Sequence, residues 1–280
     1  MKILVTGANG MLGTDLCALF RANNIEVIEW DLPGNDITDV KRTTSQIKRL
    51  SPDQIVHLAA YTDVDGCEVA KAKAYSVNVQ GTWAVVIGAK EKNIPVLHIS
   101  TDYVFDGEKE KPYLEDDVTY PINYYGLTKV QSEEIVKSKL KKFFIVRTSW
   151  LFGKSGKNFI KTILNIAKEK ETIEVVRDQK GSPTYTKDLA QAILKVVQSD
   201  FFGIYHITNS GVCSWFEFAQ EIIKQAGLNN KVIAITSDQS KRAAKRPKFS
   251  ALNNHNYIKI FGTFLRPWRE ALAQYLKESE

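Results

Sequence analysis

The sequence is short of the features that mark several protein classes. Its 280 residues hold three cysteines, Cys17, Cys67 and Cys213, with no Cys-x-x-Cys spacing. An odd, widely spaced set argues against a disulfide framework and a cysteine zinc site, and it fits a reducing cytoplasm. No apolar run approaches the ~18 residues of a membrane-spanning helix. The first apolar patch, Ile3 to Val5, is interrupted by Thr6 and Gly7, so neither a signal peptide nor a membrane partner is expected. Internal repeats and low-complexity segments are missing as well. At 44% hydrophobic and 25% charged residues the chain is too apolar to be disordered. Its length suffices to bury a large core without covalent staples.

Net charge is also missing from most of the chain. The total is +6, yet residues 231–280 hold ten Lys/Arg against four Asp/Glu, so the first 230 residues balance to zero. The excess lies mainly in Lys241, Arg242, Lys245, Arg246 and Lys248. Such a segment reads either as an attractor for an anionic ligand or as a solvated face. No nucleic-acid recognition module accompanies it, so nucleic acid is not an expected partner.

What the chain does contain is a regular alternation. β-branched runs at Lys2–Thr6, Glu26–Trp30, Gln54–Leu58, Val96–Ser100 and Phe143–Arg147 read as strands. Helical patterns fall between them at about 11–23, 39–50, 67–92 and 122–138. Right-handed crossovers then give an α/β fold, a doubly wound parallel sheet of Rossmann type. After residue 150 the rhythm loosens. A strand at Ile204–Ile207, a helix opened by the capping box Ser214-x-x-Glu217 and a last helix after Pro267 remain. No Pro/Gly/Ser-rich linker intervenes. The expected organisation is therefore a dinucleotide-binding part, 1–150, and a smaller, partly interleaved substrate-binding lobe, 151–280.

The first strand runs into Gly7-Ala-Asn-Gly10-Met11-Leu12-Gly13 and then a helix. Glycines permit a sharp turn and the close approach of a pyrophosphate, and the helix N-terminus offers free N–H groups. The strand–loop–helix context near the N-terminus gives the pattern its force. Asp31 follows 18 residues after Gly13, near the ~20-residue spacing of the acid that binds the adenosine ribose. No Lys or Arg occurs from Asp31 to Val40, which favours NADH, since a carboxylate repels a 2′-phosphate. The same Asp suits a turn before Leu32-Pro33-Gly34.

Tyr125-Gly-Leu-Thr-Lys129 places a phenol and an ammonium on one face of a predicted helix. It follows the fourth strand, whose C-terminal end carries Ser100-Thr101-Asp102 and faces the ligand crevice. Reduction of a carbonyl needs a proton donor. A phenol serves if a nearby ammonium lowers its pKa, and a neighbouring hydroxyl polarises the carbonyl oxygen. The alternative is a pair of surface helix residues. His57 and His98, inside apolar strands, read as core histidines rather than metal ligands.

These motifs carry a resemblance that spans nearly the whole chain. GANGMLG (7–13), AAYTDVDGCE (59–68), VNVQGT (77–82), STDYVFDG (100–107), YGLTK (125–129) and RTSWLFG (147–153) resemble the extended short-chain dehydrogenases/reductases. The match continues through DQKGSPTY (178–185), GIYHITNSG (203–211), RPKFS (246–250) and LRPWREAL (265–272), and STDYVFDG and GSPTY with LRPWREAL narrow it to the dTDP-4-dehydrorhamnose reductase branch. The resemblance implies NADPH- or NADH-dependent reduction of the C4 keto group of dTDP-4-dehydro-L-rhamnose. It implies Tyr125 as proton donor, Lys129 as its partner and Thr101 as the hydroxyl at the carbonyl. It places Thr101, Asp102, Tyr125 and Trp150 around the sugar. For the cofactor it implies Gly7, Gly10, Met11, Leu12, Gly13, Asp31, Asp36, Ile37, Ala60, Tyr61 and Thr62, with Tyr125 and Lys129. On composition alone Trp150 would be core. Because the nucleotide-sugar substrate carries a diphosphate, Arg246 in the basic segment is expected to hold it.

Some members of this branch bridge a dimer through Mg²⁺ held by two carboxylates. Asp15 matches the first, but Lys187 stands where the second is expected, and an ammonium cannot ligate a cation. No metal is expected, and the chain is read as a monomer or homodimer. Two other functions remain open. One is a nucleotide-sugar epimerase or dehydratase; related dehydratases carry Thr-Asp-Glu where this chain has Thr101-Asp102-Tyr103. The other is a non-catalytic NADP-binding subunit resembling the regulatory subunit of methionine adenosyltransferase.

Overall fold

The computed structural model describes residues 1–279. The first half runs β1 (Lys2–Thr6), α1 (Met11–Ala22), β2 (Glu26–Trp30), α2 (Val40–Leu50), β3 (Gln54–His57), α3 (Val64–Val69), α4 (Lys71–Tyr75) and α5 (Thr82–Lys90). It continues through β4 (Val96–Thr101), α6 (Tyr124–Lys139) and β5 (Phe143–Thr148). Then come β6 (Leu151–Phe152), α7 (Phe159–Glu169), β7 (Thr172–Val176), β8 (Lys180–Gly181), β9 (Thr184–Tyr185), α8 (Thr186–Val197) and β10 (Gly203–His206). The chain ends in β11 (Cys213–Ser214), α9 (Trp215–Gln225), β12 (Lys231–Ile235), α10 (Ser237–Ser240), α11 (His255–Phe261) and α12 (Trp268–Ser279).

Six strands form one parallel sheet in the order β10-β5-β4-β3-β1-β2. Strand alternation sends neighbouring side chains to opposite faces, and both faces are apolar. Ile3, Val5, Val56, Leu97, Phe144 and Val146 enter one core with α1 and α8. Leu4, Ile55, Val96 and Ile145 enter the other with residues of α2, α5 and α6. A third apolar cluster joins Phe152, Ile163, Phe218, Ile222, Trp268 and Leu272 and underlies the smaller lobe. Chain order does not respect the two parts: β10 pairs with β5 in the main sheet, and α8 packs on α1.

Strands β1 and β2 have the bounds expected from their aliphatic runs. β4 and β5 each extend one residue further, so that Thr101 and Thr148 lie side by side at the C-terminal edge. The helix expected over 67–92 is broken. It divides into α3, α4, a π-helical turn over Ser76–Gly81 and α5. The cause is Asn78. Its side chain accepts from Tyr61 N at 2.7 Å and donates to Tyr61 O at 3.2 Å and Thr128 Oγ1 at 2.9 Å. The bulge turns this amide inward, where it clamps the loop after β3.

Candidate active site

The C-terminal ends of β1 to β5 open onto a cavity of about 740 Å³, within the range for ligand sites. Its floor at one end is the glycine loop. Gly7 has φ +69, and a Cβ at Gly13 would stand 2.2 Å from Gly7 O, so side chains are excluded where the loop folds on itself. Gly10 is the N-cap of α1 and supplies no side-chain cap. The first N–H groups of the helix therefore remain available to an anion. Asp31 adjoins this turn, one carboxylate oxygen accepting from Asn9 N at 2.8 Å and the other from Leu32 N at 2.7 Å. Asp36, Ile37, Ala60 and Thr62 line the same end, with Gly7, Gly10, Met11, Leu12 and Gly13. Tyr61 does not line it. The Tyr61 ring lies under Lys73, and it is the backbone of this residue that Asn78 holds. The resemblance implied Tyr61 at the cofactor only as part of the run Ala60–Thr62, whose flanking residues do line the cavity.

At the other end Thr101, Asp102, Tyr125, Lys129 and Trp150 converge on the cavity. α6 starts at Asn123, whose side chain caps Gly126 N at 2.8 Å and also donates to Lys245 O at 2.9 Å. Tyr125 and Lys129 then project from one face of the helix toward the edge of β4. Thr101 donates to Asp102 Oδ1 at 3.0 Å and accepts from Tyr103 N at 3.2 Å.

Burial governs the charges. The Tyr125 phenol is pushed above its ordinary pKa, first by desolvation and then by the Asp102 carboxylate. The expected lowering by a neighbouring ammonium is not what the protein alone displays. Lys129 itself is lowered to about 7 by desolvation, against a smaller opposing effect of Glu133. Asp102 is raised to about 7 by burial, although Ser250 donates to its Oδ2 at 2.5 Å. One site thus holds three groups away from their usual values, a pattern concentrated at functional sites.

Arg246 does not line this cavity. Its guanidinium forks onto Asp65 at 3.0 and 2.8 Å and donates to Ala244 O at 2.9 Å. It anchors the basic segment to α3 instead of facing an anion, and a bidentate partner is its physical reason. Arg242 leans on the same carboxylate at 3.5 Å. Trp150 does reach the cavity. It sits at φ +48, unusual for a bulky residue, and stacks on Trp215 with ring centroids 3.5 Å apart. Trp215, Ser250, Tyr103 and Asn78 escaped the sequence reading. Tyr103 adjoined a motif already singled out, whereas the other three had no signal beyond membership in the recognised segments. Asp15 accepts from the Thr186 hydroxyl, and Lys187 pairs with Glu278. Among the described residues no cluster of three or more His, Cys, Asp or Glu side chains could hold a metal.

The whole chain, residues 1–280, matches the family model described as the RmlD substrate binding domain. The chain belongs to this family. A spore coat polysaccharide biosynthesis protein of Bacillus subtilis is 42% identical, covering 99% of this chain and 97% of its own. A dTDP-4-dehydrorhamnose reductase of Aggregatibacter actinomycetemcomitans is 38% identical, with 97% of each chain covered. Among solved structures, a dTDP-4-dehydrorhamnose reductase of Bacillus anthracis in complex with NADP superposes with a TM-score of 0.95 at 38% identity, covering 99% of both chains. The fold of the RmlD family is thus the doubly wound sheet described above, with its cavity at the strands' carboxyl ends.

Proposed function

We propose that this chain is the NAD(P)H-dependent reductase that converts the C4 keto group of dTDP-4-dehydro-L-rhamnose to the alcohol of dTDP-L-rhamnose. The observation that carries the reading is the meeting of Thr101, Tyr125 and Lys129 in the cavity that begins at the glycine loop. A nicotinamide dinucleotide fits the residues present: the loop leaves no room for side chains, and the uncapped turn of α1 faces the cavity. Bound there, the coenzyme would supply a hydride to the substrate carbonyl carbon.

The protein's own part is proton transfer and placement. Thr101 orients the carbonyl oxygen by hydrogen bonding. Tyr125, kept protonated by its buried setting, donates its phenolic proton to that oxygen as negative charge develops. Lys129 stabilises the phenolate left behind. Solvent then reprotonates Tyr125. Asp102 and Trp150 line the sugar's place, and Tyr103 occupies the position where dehydration chemistry would need a carboxylate.

In this assignment 1–150 holds the coenzyme and supplies Thr101, Asp102, Tyr125 and Trp150 at the sugar, while 151–280 adds Trp215 to the cavity wall, with α8 and β10 crossing back. The three buried thiols suit a reducing cytoplasm, and among the described residues no helix is long and apolar enough to cross a membrane. The site residues named lie within one chain, so both a monomer and a homodimer are compatible with activity. The test is coenzyme oxidation with dTDP-4-keto-6-deoxy-L-mannose, with the configuration of the product at C4 read by NMR. Turnover with the rhamnose configuration supports the reading. Coenzyme binding without turnover of this substrate sinks it.

A further inference from the structure

Lys129 is 2% exposed, and the groups around it come from three elements. On its own helix stand Tyr125 and Glu133. From β4 comes His98, and beyond it His57 of β3, the two rings stacked with centroids 5.2 Å apart. Glu133 is already committed. Arg147 donates to both of its oxygens at 2.9 and 2.7 Å, and Ser100 donates to it at 2.5 Å. The buried ammonium therefore has no carboxylate of its own. Its recorded side-chain partner is His98, with Nζ 3.1 Å from Nε2.

The partners fix the ring's chemistry. While Lys129 is an ammonium it only donates, so in that state Nε2 presents its lone pair and the ring proton sits on Nδ1. His98 Nδ1 is buried and has no hydrogen-bond partner. A buried N–H left unpaired is costly and calls for a compensating interaction. Ser132 Oγ lies 2.9 Å from Nε2 and 2.7 Å from the Lys129 carbonyl oxygen, so its rotatable hydroxyl can serve either. The ring stays neutral: desolvation, the Lys129 charge and His57 together hold its pKa well below the ordinary value. His57 is likewise held neutral, at about 3, and is anchored by Thr6 at 2.7 Å and Thr82 at 3.0 Å.

We propose that His98 is a positioning residue for the reduction, a neutral acceptor whose Nε2 keeps the Lys129 ammonium charged and aimed into the cavity. The inference rests on the assignment of Lys129 as the partner of Tyr125. Without the acceptor, the ammonium would lose the interaction that offsets its burial, and Lys129 would shed its proton at lower pH. Reduction requires that proton, so rate falls as pH rises through the Lys129 titration. Removing the acceptor moves this alkaline limb downward.

The experiment compares wild type, His98→Leu, His98→Gln and Lys129→Met in kcat/KM from pH 6 to pH 9, with coenzyme affinity followed by fluorescence across the same range. In His98→Leu the alkaline limb should shift down by about one pH unit, a roughly tenfold loss above it and little loss below. The affinity for coenzyme should acquire the same shift. His98→Gln, which restores an acceptor, should recover most of the wild-type limb. A uniform loss at every pH that His98→Gln does not rescue would make His98 a packing residue and overturn the proposal. So would an unshifted limb in His98→Leu. If Lys129→Met keeps near-normal turnover, the assignment of Lys129 fails first; if it is inactive while both His98 variants match wild type, only this inference fails.

Discussion

The two faces of the β4–β5 pair differ in one respect that separates structure from chemistry. On the rear face Ser100 and Arg147, adjacent in register, meet Glu133 in a buried cluster. Arg147 also reaches Glu115 O at 3.2 Å. One residue further along, the strands turn Thr101 and Thr148 to the cavity. There the pairing is incomplete: the Thr148 hydroxyl has no partner, and Asp102 just past the strand end is displaced to about 7, as is Lys129, which reaches the cavity from α6 past His98. Charges sealed by opposite charges hold a fold together. Polar groups held dry with unmet hydrogen-bonding capacity are ready for a ligand.

The largest effect expected at the cavity is at Tyr125. Tyr125→Phe should reduce kcat by ~10²–10⁴ while coenzyme affinity changes little. Retention of near-wild-type kcat would remove the phenol from the reaction. On the sealed face the corresponding change should act on stability. Glu133→Gln leaves Arg147 buried without its counter-charge, and a loss of about 3–5 kcal/mol is expected in equilibrium denaturation. The folded fraction should still bind coenzyme. A stable Glu133→Gln variant would show that the cluster is better solvated than its burial indicates.

A smaller effect sharpens the contrast through pH. Asp102 has a folded pKa raised by burial to about 7, above its unfolded value. The folded state then holds more protons than the unfolded state between about pH 4 and pH 7. Stability should fall as pH rises through that window, by at most about 1.4 kcal/mol per pH unit for this group. Asp102→Asn should flatten the slope. Urea titrations across this range measure it, and an unchanged slope would mean that Asp102 is ionised in the folded protein.

Much of the fold was legible because the sheet is buried on both sides. Short runs such as Ile3-Leu4-Val5 and Phe144-Ile145-Val146 have few alternatives to a central strand, and glycines bracket the first turn. The Tyr125/Lys129 pair was legible because its spacing is local. Long-range pairing was not. Arg246 looked like a free cation because Asp65 lies 181 residues away in sequence. Trp215 reaches the cavity, and Ser250 reaches the Asp102 carboxylate, only after the chain has crossed from the second lobe. The π-helical turn over 76–81 brings Asn78 to Tyr61 and Thr128, a pairing that no periodicity encodes. For Arg246 the revised expectation is a shared effect: Arg246→Ala and Asp65→Ala should lower kcat/KM by similar factors, and the double variant should be little worse than either. Additive losses would free Arg246 for a direct role.

The smallest effect concerns coenzyme choice at the glycine-loop end. Asp31 uses one lone pair of each oxygen on the backbone N–H groups of Asn9 and Leu32. A carboxylate retains further acceptor sites, so it can still receive the ribose hydroxyls of NADH, while its charge opposes a 2′-phosphate. Around it the cavity is lined by Asn9, Leu32, Asn35 and Asp36, none of them a cation. NADH should therefore be used at least as well as NADPH. Asp31→Ala should move the ratio of kcat/KM toward NADPH by about tenfold, the equivalent of 1.4 kcal/mol of relieved repulsion. That variant also frees Asn9 N–H and loosens the loop, which should weaken both coenzymes. Asp31→Asn keeps an acceptor for the loop and removes the charge, so it should shift the ratio with less loss of affinity. Initial rates with both coenzymes at fixed ionic strength give the ratio. A strong wild-type preference for NADPH that neither substitution alters would show that Asp31 serves the loop alone and that the phosphate is received elsewhere.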